Sequence, residues 1–483
     1  MMVNTESPLH FYLRILLVTI LIAFLGLSPA PHAAKSLLEN AYQSIVLRDY
    51  QNASTNLADA AQYYPWMVDL NIKAAQYALQ VNDPTAAIQY LERPGTIIRL
   101  NSDDLILLGD AYSQSGDVDM AQAIWTRVTQ LSESIPTYQR LADSYLNQHD
   151  YTSAITILQK LLSLNPSDTR LYYQIGLLYS ITDPLQALPF LAQAEQIDPT
   201  NSQKASDLHD KIRTANLFEE PAYTLLIVGR QLANWGEWQW ALAAFQQATI
   251  IRPSYADAWA FLAEARQQVT QIQTGELKPV GLSDLELALH LDSNSIPAQT
   301  LMGIFWERQA DYSQAQQYIQ NAITLNPKDP YIWTELGNIL SKAGELPEAQ
   351  SAYESAIQLA PQDPLFYRQL AEFALQNQIQ IRELALPVAR QAIMLDPHDT
   401  GSLDVMAQVM LMLLDYHSAE RYSLQAVQMD PDFSPAYLHC GLAYLYQGKV
   451  DLAQQWLGQA ESLDPKSWVA AQANRFLDYY FPP

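Results

Sequence analysis

Prolines punctuate this chain on a ruler: Pro327, Pro361, Pro397, Pro431 and Pro465 lie 34, 36, 34 and 34 residues apart. Proline breaks a helix interior, so no long helix survives such an interval, and a regular interval means short units stacked on one another. Between two of these prolines runs "WTELGNILSKAGELPEAQSAYESAIQLAP", Trp333–Pro361. Trp333, Leu336, Gly337 and Leu340 share one face of a first helix, and Ala349, Tyr353 and Ala356 share one face of a second. Gly344 stands between them as a helix stop. The small Gly337 and Ala349 are expected to face each other where the helices cross. Asp363 and Pro364 start the next unit as N-cap and first helical residue.

A unit of this length, with aromatic, Leu, Gly, Tyr and then Ala, aromatic, Ala, Pro at set places, resembles the tetratricopeptide repeat (TPR). The clearest copies are Ala222–Tyr255 and Ser434–Ser467, followed by Ile296–Asp329 and Thr400–Phe433. Val68–Leu100 is degenerate, because Pro94 cuts its second helix short, and Ala256–Ser295 carries the insertion "TQIQTGELKPVG" between its helices. About twelve units cover nearly everything after residue 34. The resemblance implies an all-α fold, a right-handed α-solenoid superhelix of helix-turn-helix repeats.

The domain plan is therefore an N-terminal segment 1–33, a first array 34–201, a bridging or capping helix 202–221, a second array 222–467 and a C-terminal capping helix 468–483. In the bridge, Leu208, Ile212 and Leu217 form the apolar side. In the cap, Val469, Ala473, Phe476 and Tyr480 pack back while Asn474, Arg475 and Asp478 meet solvent, as the end of a stacked array requires. The N-terminal segment holds "RILLVTILIAFLGL", Arg14–Leu27, a basic residue before an apolar run. It reads as a cleaved signal peptide or, next, a retained membrane anchor, either of which places the repeats outside the cytoplasm. A cytosolic chain is the third reading.

Several function classes are excluded or disfavoured. The 51 acidic and 27 basic residues give a formal charge of -24, which repels phosphate backbones and argues against nucleic acid as a partner. One cysteine, Cys440, permits no disulfide within the chain, and the histidines lack metal-ligand spacing, so no metal and no cofactor is expected. No phosphate loop, nucleophile elbow or metalloprotease motif occurs, and no segment outside the repeats could house a catalytic domain. The chain is expected not to be an enzyme. Tyr138, Tyr172, Trp259, Trp333, Tyr367 and Tyr437 recur at one repeat position and read as packing residues.

The resemblance implies that the non-packing positions of the first helices form a concave wall for a protein or peptide partner. Arg230, Arg308, Asn338, Lys342 and Arg368 are its cationic or amide positions, with Glu264 and Glu372 among them. Leu438, Leu442 and Tyr446 belong to an apolar stretch that also includes Leu375, Leu411 and Met412. The carboxylate clamp found in some members is not expected, since Thr334 and Val405 stand where it needs lysine and arginine. The expected function is an interaction scaffold of the cell envelope that touches membrane only through its N-terminal segment. The alternatives are a regulatory or substrate-recruiting subunit of an envelope enzyme, such as a glycosyltransferase or peptidase, and a carrier of lipid or saccharide.

Overall fold

Each repeat closes on a set of local devices that the sequence spells out. Asp329 and Asp363 accept hydrogen bonds from the backbone N–H groups of Tyr331 and Leu365, and Pro330 and Pro364 take the first helical position. Second helices start the same way at Asp117, Asp150, Asp311 and Asp415. The many acidic residues thus satisfy orphan amides at helix starts. The recurring aromatics do a matching job. Trp259 and Trp333 donate from Nε1 to the carbonyls of Pro253 and Pro327, at 2.8 and 3.0 Å. Tyr367 and Tyr437 donate from their hydroxyls to Pro361 and Pro431, at 3.1 and 2.9 Å. Each of these four rings ties a first helix to the turn preceding it.

The computed structural model describes residues 32–199, 202–276 and 278–481, and these are helices joined by short turns. The proposed signal or anchor falls outside the described residues but for its last two positions. No helix among the described residues is long and apolar enough to cross a membrane. Two compact units divide between His209 and Asp210. In each, successive helices pack on one another as an α-solenoid, and in the second unit first helices also pack on the first helix of the next repeat.

The close crossing within a repeat follows a rule of sixteen. A Cβ on Gly109, Gly229, Gly303, Gly337 or Gly441 would collide with the side chain sixteen residues on: Trp125, Phe245, Ile319, Tyr353 or Leu457. For Gly337 the neighbour is the Tyr353 ring, at 2.9 Å from such a Cβ. This corrects the expected pairing of Gly337 with Ala349. The missing side chain seats a large residue, while Ala349, itself fully buried, lets the second helix lie close.

Three further expectations change. The insertion "TQIQTGELKPVG" begins as helix over Thr270–Thr274, since the first helix there runs Ala256–Thr274 before Gly275 turns it in the left-handed conformation. The bridging segment forms the helix Gln203–Ala215 with Leu208 and Ile212 buried, but Leu217 lies past its end and is exposed. In the terminal helix Trp468–Tyr480, Val469, Ala470 and Ala473 are buried and Phe476 is partly so, while Tyr480 is exposed and stacks on Phe476. The degenerate repeat behaves as read: its second helix stops at Leu91 and a single turn follows at Pro94–Ile97.

Candidate interaction groove

The groove is built by four helices of the second unit, Pro364–Gln376, Thr400–Met412, Ser434–Tyr446 and Trp468–Tyr480. Each of the first three packs on the next, so their outward residues form one continuous wall. Two clefts open on it. The first, about 780 Å³, is lined by Arg368, Glu372, Asp399, Asp404 and Asp430, with Phe433 and Trp468 at its end. The second, about 590 Å³, is lined by Leu411, Met412, Leu414, Leu442, Tyr446 and Phe476. Gln376 and Gln408 line both, so a polar cleft runs into an apolar one.

The expected cations are present, and most are engaged within the chain. Arg308 forks onto Glu264 at 2.7 and 2.8 Å and onto Gln267 at 3.1 Å. Arg368 holds both oxygens of Asp399, at 3.0 and 2.8 Å, and lies 3.7 Å from Glu372. Lys342 pairs with Glu307. Asn338 accepts the Tyr353 hydroxyl at 2.6 Å and donates to Glu335 at 3.4 Å. Arg230 is exposed, its guanidinium 5.3 Å from the centre of the Phe261 ring. Of this set only Arg368 lines either cleft.

The carboxylates are less well served. Among the described residues no donor lies within hydrogen-bonding reach of Glu372. Burial holds its carboxyl above the ordinary value of 4.5; Asp404 and Asp399 push the same way, and Arg368 opposes them. Glu335 is raised in the same direction by burial, against the bond from Asn338. Asp404 is bound more tightly, 2.6 Å from Nδ1 of His439 and 3.2 Å from Nε2 of Gln408, and the Asp404–His439 pair is buried. Nearby, burial pushes the Cys440 thiol up to about 12, so it stays protonated and unreactive.

The apolar stretch divides along a single helix. Leu438 is fully buried in a cluster with Leu457 and Val469. It supports the wall from behind and does not line it, which corrects the expectation. Leu442 is mostly buried but reaches the apolar cleft, and Tyr446 is exposed there beside Tyr416, ring centres 5.3 Å apart. Sequence reasoning missed Leu414, a leucine in the left-handed region at φ 64° where other repeats place a glycine (Gly344, Gly448, Gly236) or a small or polar residue (Asn82, His149, Ala310). A large apolar residue at a turn position that elsewhere is small or polar was the signal for it.

Family models find the same repeat in three stretches of the chain. Models described as tetratricopeptide repeat match residues 308–373, and residues 135–168 and 434–467. Among solved structures, yeast Tom70 is 15% identical with a TM-score of 0.42, over 78% of this chain and 95% of its own. The Cut9-Hcn1 hetero-tetramer of the APC/C is 14% identical with a TM-score of 0.37, over 92% and 96%. YrrB, titled a TPR protein with an unusual peptide-binding site, is 17% identical with a TM-score of 0.30, over 40% and 97%. No curated protein matches the chain. The matched segments, the period of the prolines and the helix pairs seated on Gly229, Gly303, Gly337 and Gly441 make it a tetratricopeptide repeat protein.

Proposed function

We propose that the chain is a non-enzymatic scaffold of the cell envelope that binds a segment of a partner protein along the first helices of its last repeats. One observation carries the reading: two clefts share Gln376 and Gln408, giving an extended segment a polar and an apolar stretch in succession. Side-chain amides at the junction suit a peptide backbone, which offers a donor and an acceptor at each residue. A wall already ordered by helix packing lowers the entropic cost of holding an extended segment. The envelope placement is supported by the apolar run after Arg14, which would act as signal or anchor and leave the repeats outside the cytoplasm.

A photoreactive residue at Gln408 of the full chain, in native cells, should capture a protein, and one at the outward Gln358 should not. Capture from Gln358 alone would place the partner on the opposite face. Protease added to intact spheroplasts should digest the repeats; full protection would contradict the envelope placement.

A further inference from the structure

We propose that the segment held in this groove carries a lysine or arginine close to a large apolar side chain, the cation meeting Glu372 and the apolar group entering between Leu411, Met412 and Tyr446. The proposal rests on the groove reading above and adds the chemistry of the occupant.

Charge accounting favours a cation. The polar cleft presents four carboxylates, on Glu372, Asp399, Asp404 and Asp430, against the single guanidinium of Arg368. That guanidinium is already bound to both oxygens of Asp399. Asp404 has His439 and Gln408, and Asp430 accepts the backbone N–H of Asp432 at 3.0 Å. Glu372 is left with one distant contact, its side chain 40% exposed and open to an incoming group. An incoming ammonium or guanidinium supplies the missing charge and donors, and an incoming carboxylate would add to the repulsion. The chain's own cations do not take that place: Arg308 and Lys342 line neither cleft and are held by Glu264 and Glu307.

A separate observation points to an apolar anchor. Leu414 lines the apolar cleft with its side chain 70% exposed, at a turn where Arg48, His149 and Gln378 of other repeats present polar side chains. Met412 and Tyr446 beside it are also exposed. Large apolar side chains left exposed together at the rim of a cleft mark a place that becomes buried when occupied. The shared glutamines put the anchor next to the cation on one continuous segment.

The test is selection of random twelve-residue displayed peptides on the full chain. Enrichment of Lys or Arg within a few residues of Leu, Met or Phe is expected. The strongest peptide should bind about fivefold more weakly to the Glu372→Gln chain. It should be lost from the Met412→Glu chain, whose exposed substitution leaves the circular dichroism unchanged. Enrichment of Asp or Glu, enrichment of apolar residues without a cation, or equal affinity for Glu372→Gln overturns the proposal. In those cases loss of binding by Met412→Glu shows that the groove reading still holds. Selection of no peptide also overturns the proposal, and capture from Gln408 then decides separately whether the groove is used. Displacement of the peptide by palmitate at lower concentration than by a Lys–Leu peptide would assign the apolar cleft to an acyl chain and overturn it as well.

Discussion

From Arg308 to Arg368 the charged wall positions are spent on one another, whereas from Leu411 to Tyr446 the apolar positions remain open. Arg308 and Glu264, Lys342 and Glu307, Arg368 and Asp399 each join one repeat to a neighbouring one. They act as cross-ties along the stack. Met412, Leu414 and Tyr446 touch less of their own chain and leave a cleft. The contrast shows that a charge on a concave face is no measure of its availability. A partly buried arginine needs a partner, and a chain rich in carboxylates provides one. What the first stretch offers a ligand is the carboxylate left over at Glu372.

The sharpest way to break the contrast lies on the helix Ser434–Tyr446, which carries both behaviours. Leu438→Ala empties a fully buried site and should cost about 2–5 kcal/mol in chemical denaturation. Tyr446→Ala should cost less than about 1 kcal/mol and should weaken peptide binding instead. Equal costs would mean that Tyr446 is core and the cleft is not open.

Next in size is the cross-tie. Arg308→Ala leaves Glu264 facing a low-dielectric wall and should lower stability by about 2–3 kcal/mol, discounted from a fully buried pair because both groups retain some exposure. Peptide affinity should not change, since Arg308 lines neither cleft. Unchanged stability with lost binding would return Arg308 to the role of a ligand grip.

The smallest effect is also the most specific. Glu372's carboxyl is raised in the folded chain, so the folded state binds more protons than the unfolded one above the ordinary value of 4.5. Stability from this group therefore falls as pH rises from that value through the folded pKa, and the ionised carboxylate is a burden at neutral pH. Glu372→Gln should raise the unfolding midpoint at pH 7, and its advantage should shrink as pH falls toward 4.5. A constant advantage, or none, would show that Glu372 is well solvated and not short of charge.

Much of this fold was legible in the sequence because its determinants are local. Asp363 beside Pro364, Gly344 at the turn and Trp333 six residues after Pro327 each act within a few positions of themselves. The glycine seat was half legible. Gly337 signals a close approach, but whether Ala349 or Tyr353 fills it depends on the crossing between two helices. The site was less legible still. The partners of Arg308, Arg368 and Lys342 lie 44, 31 and 35 positions away, so their pairing follows the register of the stack. Leu438 and Leu442 sit four residues apart on one helix, and Val469 of the terminal helix packs in the cluster that buries Leu438.

Hydrogen exchange by mass spectrometry on the full chain, with and without the strongest selected peptide, tests the central claim most directly. The account predicts added protection in Pro364–Gln376, Thr400–Met412 and Ser434–Tyr446, and none in the second helices Leu346–Leu359 and Tyr416–Met429. Protection confined to those second helices, or to residues 102–164 of the first unit, would contradict it.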